Sequence, residues 1–252
     1  MTLPLIEKVP QWQQRTAMLL KREGLEILKN SRVLVVGLGG VGAYAAELIC
    51  RAGVGKMTVV DSDAVEASNR NRQLPALSST EGRSKAGLMA DRLRDINPEA
   101  EITPLELFLR DELTDEVLNA YKYDYVVDAI DTLSPKVNLI SKCVETGYPL
   151  VSSMGAGGKT DPTRVQIADI SKSYNCPLAK AIRKRLHRRG IRKGFKAVFS
   201  PEDVPPHAVH AFEDADSGKC GSVVGTISYM PPTFGCCCAS VVLRELTGQS
   251  SC

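Results

Sequence analysis

The chain has 252 residues, of which 43% are hydrophobic and 24% charged, a composition typical of a folded protein with a substantial core. No apolar run approaches the roughly 20 residues that span a bilayer. The N-terminus shows no charged segment followed by an apolar one, so we expect a cytoplasmic protein with no membrane contact. The net charge is +3, but residues 183–196 carry eight basic side chains and no acidic one. Such a concentrated basic segment on an otherwise acidic chain predicts a localised contact with a polyanion.

Strands and helices alternate in the first part of the chain. Short β-branched runs indicate buried parallel strands, and the longer segments between them have the apolar spacing of helices. The predicted strands lie at 32–36, 57–60, 101–106, 124–128 and 149–152, and the predicted helices at 12–29, 43–52, 83–96, 113–120 and 135–146. The first of these is one helix or two helical pieces broken near Gly24. This order predicts an α/β fold with a doubly wound, mostly parallel Rossmann-like sheet and helices on both faces.

The regular alternation weakens after residue 158. We predict strands at 164–167 and 197–199, a basic helix at 177–189, a long mobile loop at 200–221 and an apolar helix at 233–247. No linker separates the two parts, so we expect one integrated domain. It consists of an N-terminal helical segment (1–30), a nucleotide-binding α/β part (31–158) and a C-terminal α/β extension (159–252).

A glycine-rich turn follows the first strand and reads Gly37-Leu38-Gly39-Gly40-Val41-Gly42. This G-x-G-x-x-G spacing permits a tight turn, lets backbone amides approach a phosphate and allows close helix–sheet packing. Asp61 ends the next predicted strand, where a carboxylate accepts hydrogen bonds from ribose hydroxyls. The strand, turn, helix and acid in this register predict a nucleotide site, and a glycine-rich turn without a ligand is the alternative.

The side chains after Asp61 distinguish a dinucleotide from a nucleoside triphosphate. An NAD-linked oxidoreductase meets the pyrophosphate mainly with helix amides, whereas the β- and γ-phosphates of ATP call for arginine and lysine. The polar and basic candidates here are Asp63, Asn69, Arg72, Gln73 and Lys85. This cluster favours ATP.

Asp131 follows the fourth predicted strand at its carboxyl end, the edge at which ligands of open α/β sheets bind. A carboxylate at this position can hold Mg²⁺ against the phosphates of ATP. The alternative is that Asp131 caps the helix that follows. For Asp128, in the same strand, we expect a structural role.

Together these motifs resemble the ubiquitin-activating-like superfamily of adenylating enzymes, which also contains the activators of sulfur-carrier proteins. The similar segments are 37–42, Asp61-x-Asp63, Asn69-x-x-Arg72-Gln73, Lys85 and Asp128-x-x-Asp131. The resemblance implies that Asp61 binds ribose and that Asp131 holds Mg²⁺. It further implies that Asn69, Arg72 and Lys85 contact the triphosphate.

The resemblance also implies a homodimer in which Arg15 of one subunit reaches a phosphate bound to the other. A surface arginine on an exposed helix is the alternative for Arg15. The catalytic residues implied in this way are Arg15, Arg72, Lys85 and Asp131.

The cysteines argue against a zinc-bearing activator of sulfur carriers. Those activators usually carry two C-x-x-C pairs for structural zinc, and none of the eight cysteines here has that spacing. Cys236, Cys237 and Cys238 cannot converge on one ion, because successive residues of a helix point about 100° apart. We expect them to be small buried residues and the protein to hold no zinc.

The second half extends the resemblance to nearly the whole chain. Its segments at 153–158, 161–164, 169–172, 176–179 and 225–231 are similar to those of the bacterial tRNA threonylcarbamoyladenosine dehydratases. Members of that family use ATP to activate the threonyl carboxylate of threonylcarbamoyladenosine, the modified nucleoside beside the anticodon, and close it into a ring. The resemblance implies the same ATP-dependent, ligase-type reaction here and leaves open a sulfur-transfer protein as a further partner.

This chemistry suits the residues. Arg72 and Lys85, with Mg²⁺ on Asp131, can neutralise the departing pyrophosphate. Ring closure needs no enzyme nucleophile, because the attacking group belongs to the same substrate molecule. The basic segment is then expected to bind the tRNA backbone, and a solvated helix face is the alternative. The predicted tRNA-binding residues are Arg183, Lys184, Arg185, Arg188, Arg189, Arg192 and Lys193.

Two other functions remain as hypotheses. An adenylating activator of a sulfur-carrier or ubiquitin-like protein is the second, and the missing zinc pairs count against it. An NAD-linked oxidoreductase is the third, and the cluster of Asn69, Arg72 and Lys85 counts against it.

Overall fold

The structure, a computed structural model, describes residues 6–213 and 220–249. Its strands are β1 (Arg32–Val36), β2 (Lys56–Val60), β3 (Glu101–Leu105), β4 (Tyr125–Asp128), β5 (Leu150–Ser153), β6 (Gln166–Asp169), β7 (Lys196–Phe199), β8 (Val209–Glu213) and β9 (Cys220–Val224). Seven of them form one sheet in the order β3-β2-β1-β4-β5-β7-β6, and β8 pairs with β9. Every neighbouring pair of the large sheet is parallel except β6 and β7.

Helices cover both faces of the large sheet. They are α1 (Gln14–Asn30), α2 (Gly42–Ala52), α3 (Lys85–Ile96), α4 (Asp111–Ala120), α5 (Leu133–Thr146), α6 (Pro177–Arg188) and α7 (Met230–Leu246). One core, which includes Ile49 and Phe234, joins α1, α2, α3 and α7 to the sheet. A second core, which includes Ile140 and Leu186, joins α4, α5 and α6 to the opposite face. The predicted fold class is therefore confirmed. Within the described residues, none of these helices is both long and apolar enough to cross a membrane.

Strand β1 shows how the sheet positions the candidate site. Its side chains alternate between the two cores, so that Val35 faces one and Val36 the other, and both are buried. At its carboxyl end, Val36 lies in register with Val60 of β2 and Asp128 of β4. The segments that follow these three strands therefore meet at one edge of the sheet.

Helix α1 is interrupted at a different residue from the one predicted. The backbone leaves the helical region at Lys21, with φ 60° and ψ 178°, whereas Gly24 is helical and buried. A Cβ atom on Gly24 would lie 2.8 Å from Cβ of Leu20. The glycine thus relieves crowding inside the helix, and the break that was predicted near Gly24 is found at Lys21.

The segment predicted as a long loop at 200–221 contains regular structure. A short 3₁₀ helix (Pro206–Ala208) leads into β8, which pairs antiparallel with β9. Residues 214–219 of the predicted loop lie outside the described residues. The prediction was wrong for β8 because proline, aspartate and glycine are typical of loops, whereas β8 is stabilised by pairing with β9 in a separate two-stranded sheet.

Helix α7 begins at Met230, three residues before the predicted start. Pro231 and Pro232 lie in its first turn, where the missing backbone N–H groups would have no helical acceptor. Of the three adjacent cysteines, only Cys238 is buried, while Cys237 is partly buried and Cys236 is exposed. The expectation that all three are buried was therefore wrong for Cys236, because successive positions of a helix face different directions.

Candidate active site

A cavity of about 250 Å³ opens at the edge where β1, β2 and β4 end. Most residues predicted to bind nucleotide line it, although they come from four separate segments of the chain. They are Gly37, Gly39, Asp61, Asp63, Asn69, Arg72, Gln73, Lys85 and Asp131. Gly40, Gly42 and Arg15 are the predicted site residues that do not line this cavity.

Gly37 and Gly39 of the glycine turn line the cavity, and the glycines allow backbone segments to approach one another closely. Gly37 has φ +87°, and a Cβ atom on it would lie 2.7 Å from the carbonyl oxygen of Ala129. A Cβ atom on Gly42 would lie 1.7 Å from the carbonyl oxygen of Gly37. The backbone of Gly42 therefore packs directly against that of Gly37, and Gly40 packs against Pro231 of α7.

Asp61 ties the end of β2 to the glycine turn. Its carboxylate accepts hydrogen bonds from the backbone N–H of Leu38 at 2.6 Å and of Asp63 at 2.8 Å. Burial raises the pKa of Asp61 above its ordinary value, although these two hydrogen bonds and Lys85 act in the opposite direction. Each carboxylate oxygen keeps a lone pair for a further donor, so Asp61 can still accept from a ligand hydroxyl in the cavity.

Lys85 is a buried cation at the start of α3. Its ammonium group lies 2.9 Å from the carboxylate of Asp63, which is itself mostly exposed. A short antiparallel contact between Ala64 and Ser84 places the two segments side by side. Asp63 thus orients Lys85, and the ammonium still lines the cavity where it can meet an anion.

The segment after Asp63 contains a short 3₁₀ helix, Ala67–Asn69, followed by Arg72, and these supply an amide and a guanidinium to the cavity. Asn69 is buried, and its side-chain oxygen accepts from the backbone N–H of Glu66. The Arg72 guanidinium donates to the carbonyl oxygen of Ser68 at 3.0 Å. Asn69 therefore shapes the turn, while Arg72 has further donors available for a phosphate.

Gln73 has an unsatisfied polar atom beside the glycine turn. Its buried side-chain oxygen has no hydrogen-bond partner among the described residues, and its amide nitrogen would lie 3.6 Å from a Cβ atom on Gly39. A buried acceptor without a donor is unfavourable in the folded protein. A ligand that supplies a donor at this point would satisfy it.

Asp131 is exposed at the cavity, and within the described residues its carboxylate accepts one hydrogen bond, from the Thr132 hydroxyl at 3.2 Å. Thr132 is the N-cap residue of α5, and no side chain caps that helix. The alternative that Asp131 serves as a helix cap is therefore not adopted. One carboxylate at a cavity that Arg72 and Lys85 also line fits Mg²⁺, which takes one or two protein carboxylates and completes its shell with water and phosphate.

A fully buried ion pair lies directly beneath Asp131. The Lys136 ammonium is 2.8 Å from the Asp128 carboxylate, and neither side chain is exposed. The same pair holds both backbone polar groups of Ile130, because Lys136 donates to the Ile130 carbonyl oxygen at 2.9 Å and Asp128 accepts from the Ile130 N–H at 3.1 Å. Ser152 donates to Asp128 at 2.6 Å. The structural role expected of Asp128 is thus to fix the turn that carries Asp131.

The predicted RNA-binding residues are distributed over α6 and the turn after it. Arg183 is partly buried and donates to the Ser173 hydroxyl. The others are exposed, and they are Lys184, Arg185, Arg188, Arg189, Arg192 and Lys193. Arg15 is likewise exposed, on α1.

The buried thiols are unsuited to nucleophilic catalysis. Burial raises the pKa of Cys50 and of Cys143 to about 12, and it raises that of Cys238 further still. Thiols of this kind remain protonated at neutral pH, and the thiolate is the reactive form.

Several cavity residues were missed by sequence reasoning. The turn after β3 contributes Leu107, Phe108 and Leu109, and the turn after β4 contributes Ile130. These side chains are apolar and belong to no motif, so the available signal was only their position after the carboxyl end of a strand. Glu66 was also missed, although it lies inside the segment that follows Asp61.

Known proteins resemble this chain over most of its length. The ThiF family pattern matches residues 13–251. The tRNA threonylcarbamoyladenosine dehydratase of Bacillus subtilis is 50% identical over 188 residues, which cover 75% of this chain and 74% of that protein. The protein of the same name from Escherichia coli is 36% identical over 258 residues, which cover 95% and 96%. The crystal structure of the E. coli dehydratase in complex with ATP has a TM-score of 0.85 to this chain at 35% identity and covers 97% of this chain and 98% of that one.

Proposed function

From the premise that this chain belongs to the ThiF family, we propose that it catalyses the ATP-dependent cyclisation of threonylcarbamoyladenosine beside the anticodon of tRNA. The observation that carries this proposal is the convergence of Asp61, Arg72, Lys85 and Asp131 on one cavity. The two relatives named above are dehydratases of this kind by name, and their similarity to this chain extends over most of both chains. The substrate, tRNA, gives the proposed activity its place in the cytoplasm.

ATP is expected to lie across the carboxyl edge of the sheet. Asp61 accepts from the ribose hydroxyls, and the backbone around Gly37 and Gly39 faces the phosphates at the start of α2. Arg72 and Lys85 neutralise the β- and γ-phosphates. The ion pair with Asp63 keeps Lys85 pointing into the cavity before the nucleotide arrives.

Asp131 is the residue that would hold Mg²⁺. When bound, the ion supplies positive charge that neutralises the phosphate oxygens as pyrophosphate departs. Lys136 and Asp128 keep the Asp131 turn in place through their hydrogen bonds to the backbone carbonyl and N–H of Ile130.

The proposed reaction has two steps, and the enzyme contributes positioning and charge to both. The threonyl carboxylate attacks the α-phosphorus, the bond to the bridging oxygen breaks, and pyrophosphate leaves. A group of the same nucleoside then attacks the activated carbonyl carbon, and AMP leaves as the ring closes. Because both groups belong to one molecule, the second step is intramolecular and needs no enzyme nucleophile. The buried thiols, whose pKa values are raised by burial, are accordingly not required.

Further parts of the proposal concern partners. We expect a homodimer in which Arg15, exposed on α1, reaches the phosphates bound to the other subunit. A sulfur-transfer protein remains a further partner to test. The basic residues of α6 and the following turn are expected to meet tRNA phosphates.

Pyrophosphate release tests the proposed function. Purified protein with ATP and Mg²⁺ is expected to release pyrophosphate when tRNA carrying threonylcarbamoyladenosine is added, and not with tRNA lacking the modification. A sulfur-carrier protein with a free C-terminus serves as the third substrate. Release stimulated only by the carrier protein would establish the alternative, an adenylating activator, and release with no substrate preference would contradict both.

The pH dependence of ATP binding tests the role of Asp61. Its pKa is raised by burial, so its carboxylate is protonated at a higher pH than that of an ordinary aspartate. Binding that needs the ionised carboxylate is present above the raised pKa and is lost as the pH falls through it. We expect the dissociation constant of ATP to rise in this window, measured by calorimetry over a pH series. An Asp61→Asn variant should bind weakly with a flatter profile, and a wild-type profile equally flat would contradict the assignment.

A further inference from the structure

We infer that the ATP cavity continues into a basic groove around the start of α5, and that this groove holds the single-stranded backbone of the substrate RNA. The inference rests on the proposed function and deepens it, because it says which arginines contact the RNA backbone and where they do so. Its occupant is the phosphate backbone of the loop that carries the modified nucleoside.

Three cavities adjoin one another along this path. The ATP cavity shares Phe108, Thr132 and Pro135 with a neighbouring cavity of about 370 Å³. That cavity in turn shares Ser134 and Arg189 with a third one of about 380 Å³. Because neighbouring cavities share lining residues, they lie side by side, and we treat them as one path from the nucleotide to the surface of α6, which we call the α5 groove.

The outer part of the α5 groove is strongly basic. Its walls include Arg110, Arg185, Arg188 and Arg189, against the single acidic side chain of Asp111. None of these four arginines forms an ion pair with a carboxylate in the described ranges 6–213 and 220–249. Their charge is therefore not neutralised within the described protein and is available to a polyanion.

Two of the arginines are held in position by neutral groups. Arg185 donates to the Ser134 hydroxyl at 2.8 Å, and Arg189 donates to the Ser141 hydroxyl at 3.1 Å. A hydroxyl acceptor orients a guanidinium but leaves its charge and its other donors free. Guanidinium groups oriented in this way match the geometry of phosphate and lose little freedom on binding.

The groove divides the predicted RNA-binding residues into two sets. Arg185, Arg188 and Arg189 line it, whereas the others line none of the three cavities. These others are the partly buried Arg183 and the exposed Lys184, Arg192 and Lys193. RNA that follows the groove reaches the ATP cavity with its modified nucleoside, because unpaired loop nucleotides can be splayed away from their neighbours. The groove arginines are therefore expected to contribute more to tRNA binding than the other basic residues of the segment.

A pair of charge-reversal variants tests this inference. Arg185→Glu with Arg189→Glu removes two groove cations, and Lys172→Glu with Lys180→Glu changes the charge equally at exposed positions outside all three cavities. We expect the groove variant to weaken binding of the modified tRNA by roughly 30- to 100-fold and the control by less than about fivefold. The slope of log affinity against log salt should fall in magnitude by about 1.5 in the groove variant, since each phosphate contact contributes about 0.7–0.9.

ATP affinity reports whether the variants are folded and must equal that of the wild type. If the groove variant does not bind ATP, Arg185→Gln with Arg189→Gln replaces it, since glutamine keeps a donor for the two hydroxyls. Equal weakening of tRNA binding in the groove and control variants, or none in the groove variant, would overturn the inference while leaving the proposed function intact. Absence of tRNA-stimulated pyrophosphate release by the wild type would instead overturn the proposed function.

Discussion

Replacing Asp131 with asparagine is expected to lower the rate of tRNA-stimulated pyrophosphate release by about 10²–10³-fold, the usual loss when one charge-stabilising group is removed from a site. Asp131 presents a free carboxylate at the cavity, with one weak hydrogen bond from Thr132. Asparagine has nearly the same volume but no charge, so it cannot hold Mg²⁺ as tightly. The effect should fall on kcat, because Asp61 and the glycine turn still bind the nucleoside part of ATP.

The control is Asp95→Asn, which removes an exposed carboxylate of α3 outside the cavity. Steady-state pyrophosphate release at several Mg²⁺ concentrations gives kcat, KM for ATP and the concentration of Mg²⁺ that supports half the maximal rate. We expect the last quantity to rise in Asp131→Asn and to remain unchanged in Asp95→Asn. An Asp131→Asn enzyme with normal kcat and normal Mg²⁺ dependence would exclude Asp131 from the metal site.

Replacing Lys136 with methionine is expected to lower the free energy of unfolding by about 3–5 kcal/mol, the usual loss when a buried ion pair is broken at one partner. The side chains of Lys136 and Asp128 are both 0% exposed, so the variant leaves an uncompensated carboxylate in the core. The Ile130 carbonyl oxygen also loses its donor. Both losses occur beneath Asp131, so catalysis should fall together with stability.

Lys142→Met is the matched control on the same helix, because Lys142 pairs with Asp115 at 2.9 Å on a partly exposed surface. Such pairs contribute no more than about 1 kcal/mol. Urea unfolding of both variants gives the comparison. Equal small losses in the free energy of unfolding would show that the buried ion pair contributes no more to stability than the exposed one.

A double variant separates the folding role of the pair from its role at the site. Asp128→Asn with Lys136→Met removes both buried charges, and asparagine can still accept from the Ile130 N–H. We expect it to be more stable than Lys136→Met alone. Pyrophosphate release should nevertheless remain impaired, because nothing replaces the donor to the Ile130 carbonyl oxygen. A double variant with full stability and full activity would contradict the positioning role.

Local features of the chain carried much of the site. The turn at 37–42 is recognisable because steric limits on the backbone demand glycine at positions such as Gly37 and Gly42, whatever the rest of the protein does. Asp61 and Asp131 follow strands whose carboxyl ends must lie together once the sheet is parallel. Arg72 and Lys85 are recognisable because cationic side chains that follow the ribose-binding strand suit the β- and γ-phosphates of a nucleoside triphosphate.

Pairings between distant or differently oriented side chains were not visible in this way. Lys136 looks like an ordinary helical lysine, and only packing of α5 against β4 encloses it with Asp128. The turn after β3 has no polar signature, and its place at the cavity depends on the neighbouring turns. The hairpin of β8 and β9 likewise depends on pairing across residues 214–219 rather than on the composition of either strand.

The basic segment shows the same division. The sequence by itself predicted a mostly parallel α/β sheet with a nucleotide-binding edge and determined that positive charge is concentrated at 183–196, because backbone sterics, side-chain periodicity and charge are local properties. Only the tertiary structure decided that Arg185 and Arg189 donate to Ser134 and Ser141 and line cavities beside the candidate ATP cavity. That choice depends on how α6 packs on α5, and helix packing is set by contacts between segments rather than by either segment alone.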